Sequence, residues 1–147
     1  MFQHLLVPID GSELSERAAN TSIALAAKLG ARITGFVAEP LPPMPNESTG
    51  MTAYARKAEE HRIRTEEHAR AVLARFAGLA AEQGVPFKGE YLRTDTVDDA
   101  IVIAAQDYGC DLVVMVTHGR GAFGELLFGS HTKNVLSRSK LPLLVLH

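Results

Sequence analysis

The stretch THGRGAFGELLFGS, residues 117–130, sets four glycines, an arginine and a closing serine directly behind the apolar run DLVVMV. Glycine lets the backbone approach another group closely and adopt positive φ, at an entropic cost on folding, so the stretch predicts a space that something else fills. Gly119, Gly121 and Gly124 have the form of the G-x-G-x-x-G dinucleotide fingerprint. That fingerprint belongs at the first strand of a βαβ unit, with an acidic ribose ligand about 20 residues further on. No Asp or Glu follows Glu125, and no Gly-Lys-Ser or Gly-Lys-Thr occurs to supply a phosphate lysine. The spacing that survives is Gly119, nine residues, Gly129, Ser130, with the last pair opening a predicted helix. Unpaired amides at a helix start, reinforced by the helix dipole, cradle phosphate oxygens, and the Ser130 hydroxyl adds a donor. The alternative is that the glycines only shape a loop and Ser130 only caps its own helix.

A second candidate lies at the other end of the chain. VPIDGS puts Asp10 at the carboxyl end of the first predicted strand, where ligands of open α/β sheets bind if the strand order reverses there. A carboxylate in that place accepts hydrogen bonds from ribose hydroxyls; equally, Asp10 or Ser12 caps the helix that follows. His118 is the histidine placed to touch a ligand, and Arg120 and Lys133 are cations able to neutralise phosphate or to stand on the surface. His61 and His68, seven apart in the charged run EEHRIRTEEHAR, lack metal-site spacing and read as a solvated helical face. No Ser/His/Asp arrangement emerges from spacing.

Short β-branched runs alternate with longer segments of helical periodicity, the pattern of βαβ units around a parallel sheet. Strands are predicted at HLLVPI (4–9), RITGFVA (32–38), VPFKGEYL (85–92), DLVVMV (111–116) and LPLLVLH (141–147). Helices are predicted over 12–29, with Ala19, Ile23, Ala26 and Leu29 inward and Gly30 as the stop, and over 54–83, with Val72, Phe76 and Leu79 inward and Gly84 closing it. A third opens at Thr96, with Asp99 as its capping partner, and runs through Tyr108; a fourth covers 130–138. EPLPPMPNEST, with four prolines, is a long loop that either folds over a ligand or only connects. The near-continuous apolarity of DLVVMV predicts burial on both faces.

A length of 147 residues with 46% hydrophobic content predicts one domain that needs neither metal nor disulfide. A net charge of −2, with bases and acids interleaved, gives no nucleic-acid footprint. The single cysteine, Cys110, reads as a small buried side chain. Without a signal-like N-terminus or a run near the roughly 18 apolar residues a bilayer requires, the chain is expected in the cytoplasm and off the membrane.

VPIDGS, DLVVMVTHGRGAFGELLFGS and VLSRSKLPLLVLH together resemble the universal stress protein family, and the resemblance runs the full length. It implies a Rossmann-like fold: an open five-stranded parallel sheet of order 3-2-1-4-5 with helices on both faces. It also implies ATP or AMP binding, with magnesium as an accompanying ion, through a G-x-x-G, nine residues, G-[ST] pattern. Carried onto this chain, Asp10 goes to the ribose, the backbone near Val37 and Ala38 to the adenine, and Gly119, Gly129 and Ser130 to the phosphates. His131 and Thr132 add contacts at the same helix start, and Pro8, Ile9, Met115, Val116, His118 and Arg120 complete the implied site. Val116 stands where the family pattern has its first glycine. The resemblance implies a stress-response sensor or regulatory module that forms homodimers through its last strand. The other readings are a scaffold in which Val116 closes the crevice and protein partners are engaged instead, and a slow ATP hydrolase. Hydrolysis asks for a positioned water and charge stabilisation, and His118 is the sole evident base.

Overall fold

The computed structural model describes residues 1–116 and 130–147. Elements alternate along the chain as β1 (His4–Pro8), α1 (Glu13–Leu29), β2 (Arg32–Glu39), α2 (Met51–Glu82), β3 (Phe87–Arg93), α3 (Val97–Asp107), β4 (Leu112–Val116), α4 (Ser130–Arg138) and β5 (Leu143–Leu146). The sheet has the order β3-β2-β1-β4-β5, and each neighbouring pair is parallel.

Strand alternation divides the core into two layers. Leu5, Val7, Ile33, Val37, Leu112 and Val114 face α1 and α2, where Ala19, Ile23, Ala26, Phe76 and Ala80 receive them. Leu6, Phe36, Val113 and Met115 face α3 and α4, against Ile101, Ala104, Ala105 and Val135. Each large side chain so enclosed contributes about 2 kcal/mol of transfer free energy. β4 is buried on both faces up to Met115, as its unbroken apolarity predicts. Gly35, in the middle of β2, is where two aromatic rings come in. A Cβ there would stand 2.7 Å from Phe87 and 3.0 Å from Phe76, whose rings pack with centroids 4.7 Å apart.

Local signals account for some helix ends and not others. Ser12 caps α1 by accepting from the Ser15 amide, Glu13 and Glu16 favour the positive end of its dipole, and Gly30 ends it in the left-handed conformation. α3 departs from expectation: Thr96 makes no side-chain cap. Its hydroxyl meets that of Thr94 at 3.0 Å, and Asp99 is drawn to Arg138 on α4 rather than back to the helix start. α2 begins at Met51, three residues before the predicted Tyr54, behind a Gly50 that offers no capping side chain. The proline-rich segment is irregular from Pro40 to Gly50, and the Leu41 amide ties it to Asp95 at 3.0 Å.

Candidate functional site

The strand order reverses between β1 and β4: from β1 the chain crosses to β2 on one side, and β4 lies on the other. In open α/β sheets the crevice beyond the strand ends at such a point receives ligands. Here Asp10, just past β1, and the chain leaving β4 at Val116 emerge side by side.

A cleft of about 180 Å³ opens at this place. Among the described residues its lining has an apolar part (Pro8, Ile9, Phe36, Ala38, Val97, Ile101, Met115 and Val116) and a polar rim of Asp10, Ser12, Ser15, His131 and Thr132. Period-two geometry explains the membership: Phe36, Ala38 and Met115 project to the α3 side of the sheet, and Val97 and Ile101 meet them from one face of α3. The arrangement is an apolar slot with hydrogen-bonding groups at its mouth.

Asp10 is exposed and oriented by its own turn. Its Oδ1 accepts the Ser12 amide at 2.9 Å, the Gly11 amide donates to Ser15 Oγ at 3.0 Å, and Ser12 supplies the helix cap. Ser12 therefore performs the capping that Asp10 would otherwise perform. Burial pushes the Asp10 carboxyl upward, but the surrounding hydrogen bonds from Ser12 and Ser15 outweigh it and hold the group below the usual carboxylate range. It is an anion at neutral pH, able only to accept, which suits hydroxyl donors.

Across the mouth, α4 begins at Ser130, and its first turn is anchored from below. His131 Nδ1 donates to Asp98 Oδ1, Asn134 donates to Asp98 Oδ2 at 2.7 Å, and Arg138 pairs with Asp99. These links pin α4 to the first turn of α3, so the start of α4 is fixed relative to the slot.

The predicted site residues fall into three groups. Pro8, Ile9, Asp10, Ala38, Met115, Val116, His131 and Thr132 come together around the cleft. Val37 is one position out of phase with Ala38: its side chain is 1% exposed in the layer under α1 and α2, so only its backbone is available to the strand end. His118, Gly119, Arg120 and Gly129 lie outside the described residues, as do the details of the Ser130 side chain. Alternation also locates Val116. It shares the α1 side of β4 with Val114, pairs with Leu146 in register, and lines a separate hollow with Leu14 and Arg17 while its edge borders the cleft.

Phe36, Leu14, Ser15, Val97 and Ile101 line the cleft without a site role predicted from sequence, and so does Ser12, which the sequence marks only as a helix cap. Phe36 was findable, being two residues before Ala38 on the same strand. Val97 and Ile101 were findable as an i, i+4 pair on a helix face.

Comparison with known proteins agrees with this architecture. The model of the universal stress protein family matches residues 1–147. A universal stress protein of Thermus aquaticus is 32% identical over 146 residues, covering 99% of this chain and 98% of the relative. The solved structure of Methanocaldococcus jannaschii MJ0577, itself a universal stress protein, superposes with a TM-score of 0.78 at 25% identity over 99% of this chain and 96% of the other. Two further solved structures share the fold: a universal stress protein in complex with cAMP (TM-score 0.70, 24% identity, 99% and 97% covered) and one from Archaeoglobus fulgidus in complex with dAMP (TM-score 0.62, 17% identity, 100% and 98% covered). The chain belongs to the universal stress protein family.

Proposed function

We propose that this protein binds an adenine nucleotide, ATP or AMP, in the cleft between β1 and β4 and acts as a sensor or regulatory module of the stress response. The observation that carries the reading is the pairing of a depressed carboxyl, Asp10, with an anchored helix start, α4, at the mouth of one apolar slot. Phe36, Ala38, Ile101 and Met115 offer a purine the dispersion contacts of a dry wall. Asp10 accepts from the sugar hydroxyls, and the amides opening α4, with Ser130, His131 and Thr132, receive phosphate oxygens. Relatives crystallised with cAMP and dAMP have adenine, a sugar and a 5′-phosphate in common, the three parts this cleft is built to meet. Magnesium would accompany a bound triphosphate, held by its phosphate oxygens.

The same reading includes a homodimer in the cytoplasm. β5 is an edge strand of four apolar residues, half-buried, and among the described residues it pairs with β4 alone; such an edge favours pairing with a second copy. Among the described residues no helix is long and apolar enough to cross a membrane. Sedimentation equilibrium tests the dimer; a monomer at all concentrations overturns it.

A second reading follows from Val116: with its edge on the cleft, the protein acts as a scaffold for protein partners and takes no nucleotide. Isothermal titration with AMP, ADP and ATP separates the two. Saturable heat with a dissociation constant below about 1 mM supports the sensor. Absence of both heat and thermal shift at millimolar nucleotide supports the scaffold.

A further inference from the structure

Helix α2 makes two polar contacts that its packing on the sheet does not require. His61 Nε2 donates to the Pro40 carbonyl at 3.0 Å, and two turns later His68 Nδ1 donates to Glu39 Oε1 at 2.6 Å. Both land at the carboxyl end of β2, beside the turn that carries Asp10. The Glu39 side chain is only 11% exposed, and a carboxylate so enclosed needs a donor. His68 supplies it, and the bond fixes how the imidazole is turned.

The ring so oriented reaches the β1–α1 turn. Gly11 has φ of +86°, a conformation side chains rarely adopt, and a Cβ built on it would stand 3.0 Å from His68 Nε2 and 2.9 Å from Val72 Cγ2. The turn is thus clasped: the Gly11 amide is held by Ser15 on one side, and α2 backs it on the other. Asp10 and Ser12 flank the residue that is held.

We infer that His68, oriented by Glu39, is a positioning residue: it backs Gly11 so that Asp10 stays directed at the cleft, and it sets nucleotide affinity without touching the nucleotide. The inference rests on the nucleotide-binding reading above. The His68 side chain is 49% exposed, so removing the ring opens the back of Gly11 to water, and the turn then has to be ordered at the moment of binding, which weakens affinity.

The test combines AMP titration with amide NMR of the labelled protein. His68→Ala and Glu39→Ala are each expected to weaken AMP binding about tenfold, the loss associated with one hydrogen bond to a charged group, and the double variant no further than either single one. Glu39→Gln, whose amide oxygen still accepts from Nδ1, restores the affinity. The Gly11 and Ser12 amide resonances shift in the alanine variants and return in Glu39→Gln. Should the alanine variant unfold, His68→Phe, which keeps the bulk and loses the bond to Glu39 that orients the ring, must still weaken AMP binding and move the Gly11 resonance. Unchanged AMP affinity in folded His68→Ala overturns the inference, and so does weakened affinity with unmoved Gly11 and Ser12 resonances. A wild type that binds no AMP overturns the nucleotide reading instead, and the amide signature alone then decides whether His68 holds the turn.

Discussion

Two aspartates stand at opposite ends of the sheet and divide its labour. Asp111, at the amino end, spends both oxygens on the backbone: Oδ2 accepts the Gln3 amide and Oδ1 the His4 amide, each at 2.9 Å, stapling the start of β1 to the start of β4. Asp10, at the carboxyl end, accepts one amide, from Ser12, and lines a cleft. In both, burial pushes the carboxyl up and donated hydrogen bonds more than offset it. The same shift accompanies different work, because what matters for binding is the acceptor capacity left over once the fold is satisfied.

The sharpest way to break this contrast is to delete each carboxylate. Asp10→Ala is expected to weaken adenine nucleotide binding about thirtyfold, from losing hydrogen bonds to a charged acceptor, and to change stability by less than about 1 kcal/mol. Asp111→Ala is expected to do the reverse, costing about 1.5 kcal/mol in urea unfolding for two orphaned amides, with affinity unchanged within a factor of about two. If Asp111→Ala abolishes binding in a protein that remains folded, the division of labour is wrong.

Acid titration sharpens it. Both folded carboxyls titrate below their unfolded values, so each contributes stability that is fully present above about pH 4 and is lost as the pH falls through the folded value. Urea midpoints measured downward from pH 5 should therefore drop, and Asp111→Asn should flatten the part of that limb due to the staple. An unchanged limb would show that the hydrogen bonds at the amino end do not depend on charge.

Smaller effects probe the surroundings of each end. Cys110, next to Asp111, is buried, and burial raises its thiol to about 11. Alkylation at pH 8 should run at least about a hundredfold slower than for a free cysteine, and labelling at the free rate would mean that the amino end opens readily. At the carboxyl end, Val116→Gly should change AMP affinity by no more than about threefold, in the direction of tighter binding, since its side chain lies mainly on the α1 side. A tenfold loss would place that valine among the ligand contacts.

The alternation of strands and helices could be read from the chain because each element carries its own period, and Gly30 and Ser12 mark their helix ends by local chemistry. Asp10 could be read as a candidate because its place at a strand end is a local fact. Where sequence reasoning fell short, the cause was distance along the chain. His61 and His68 do stand on a partly solvated helical face, as predicted, but their partners, Pro40 and Glu39, lie 21 and 29 positions away. Thr96 and Asp99 have the spacing of a capping pair, yet Thr94 and Arg138 compete for them, one of those from another helix. That Phe36, and not the Val37 side chain, faces the cleft follows from the phase of β2, which is set by what packs on each face. No local pattern states that phase.

One dimension of α2 has a mechanical consequence. Its 32 residues extend about 48 Å, whereas the seven-residue β3 beneath it covers about 23 Å. The excess lies at the start, where Met51–Glu60 includes no buried residue before His61 grips the end of β2. About 15 Å of helix therefore has no buried residue among its ten positions. Displacement of this lightly packed stretch is resisted next along the helix by the His61 and His68 bonds to the end of β2, and through His68 it is coupled to the turn at Gly11.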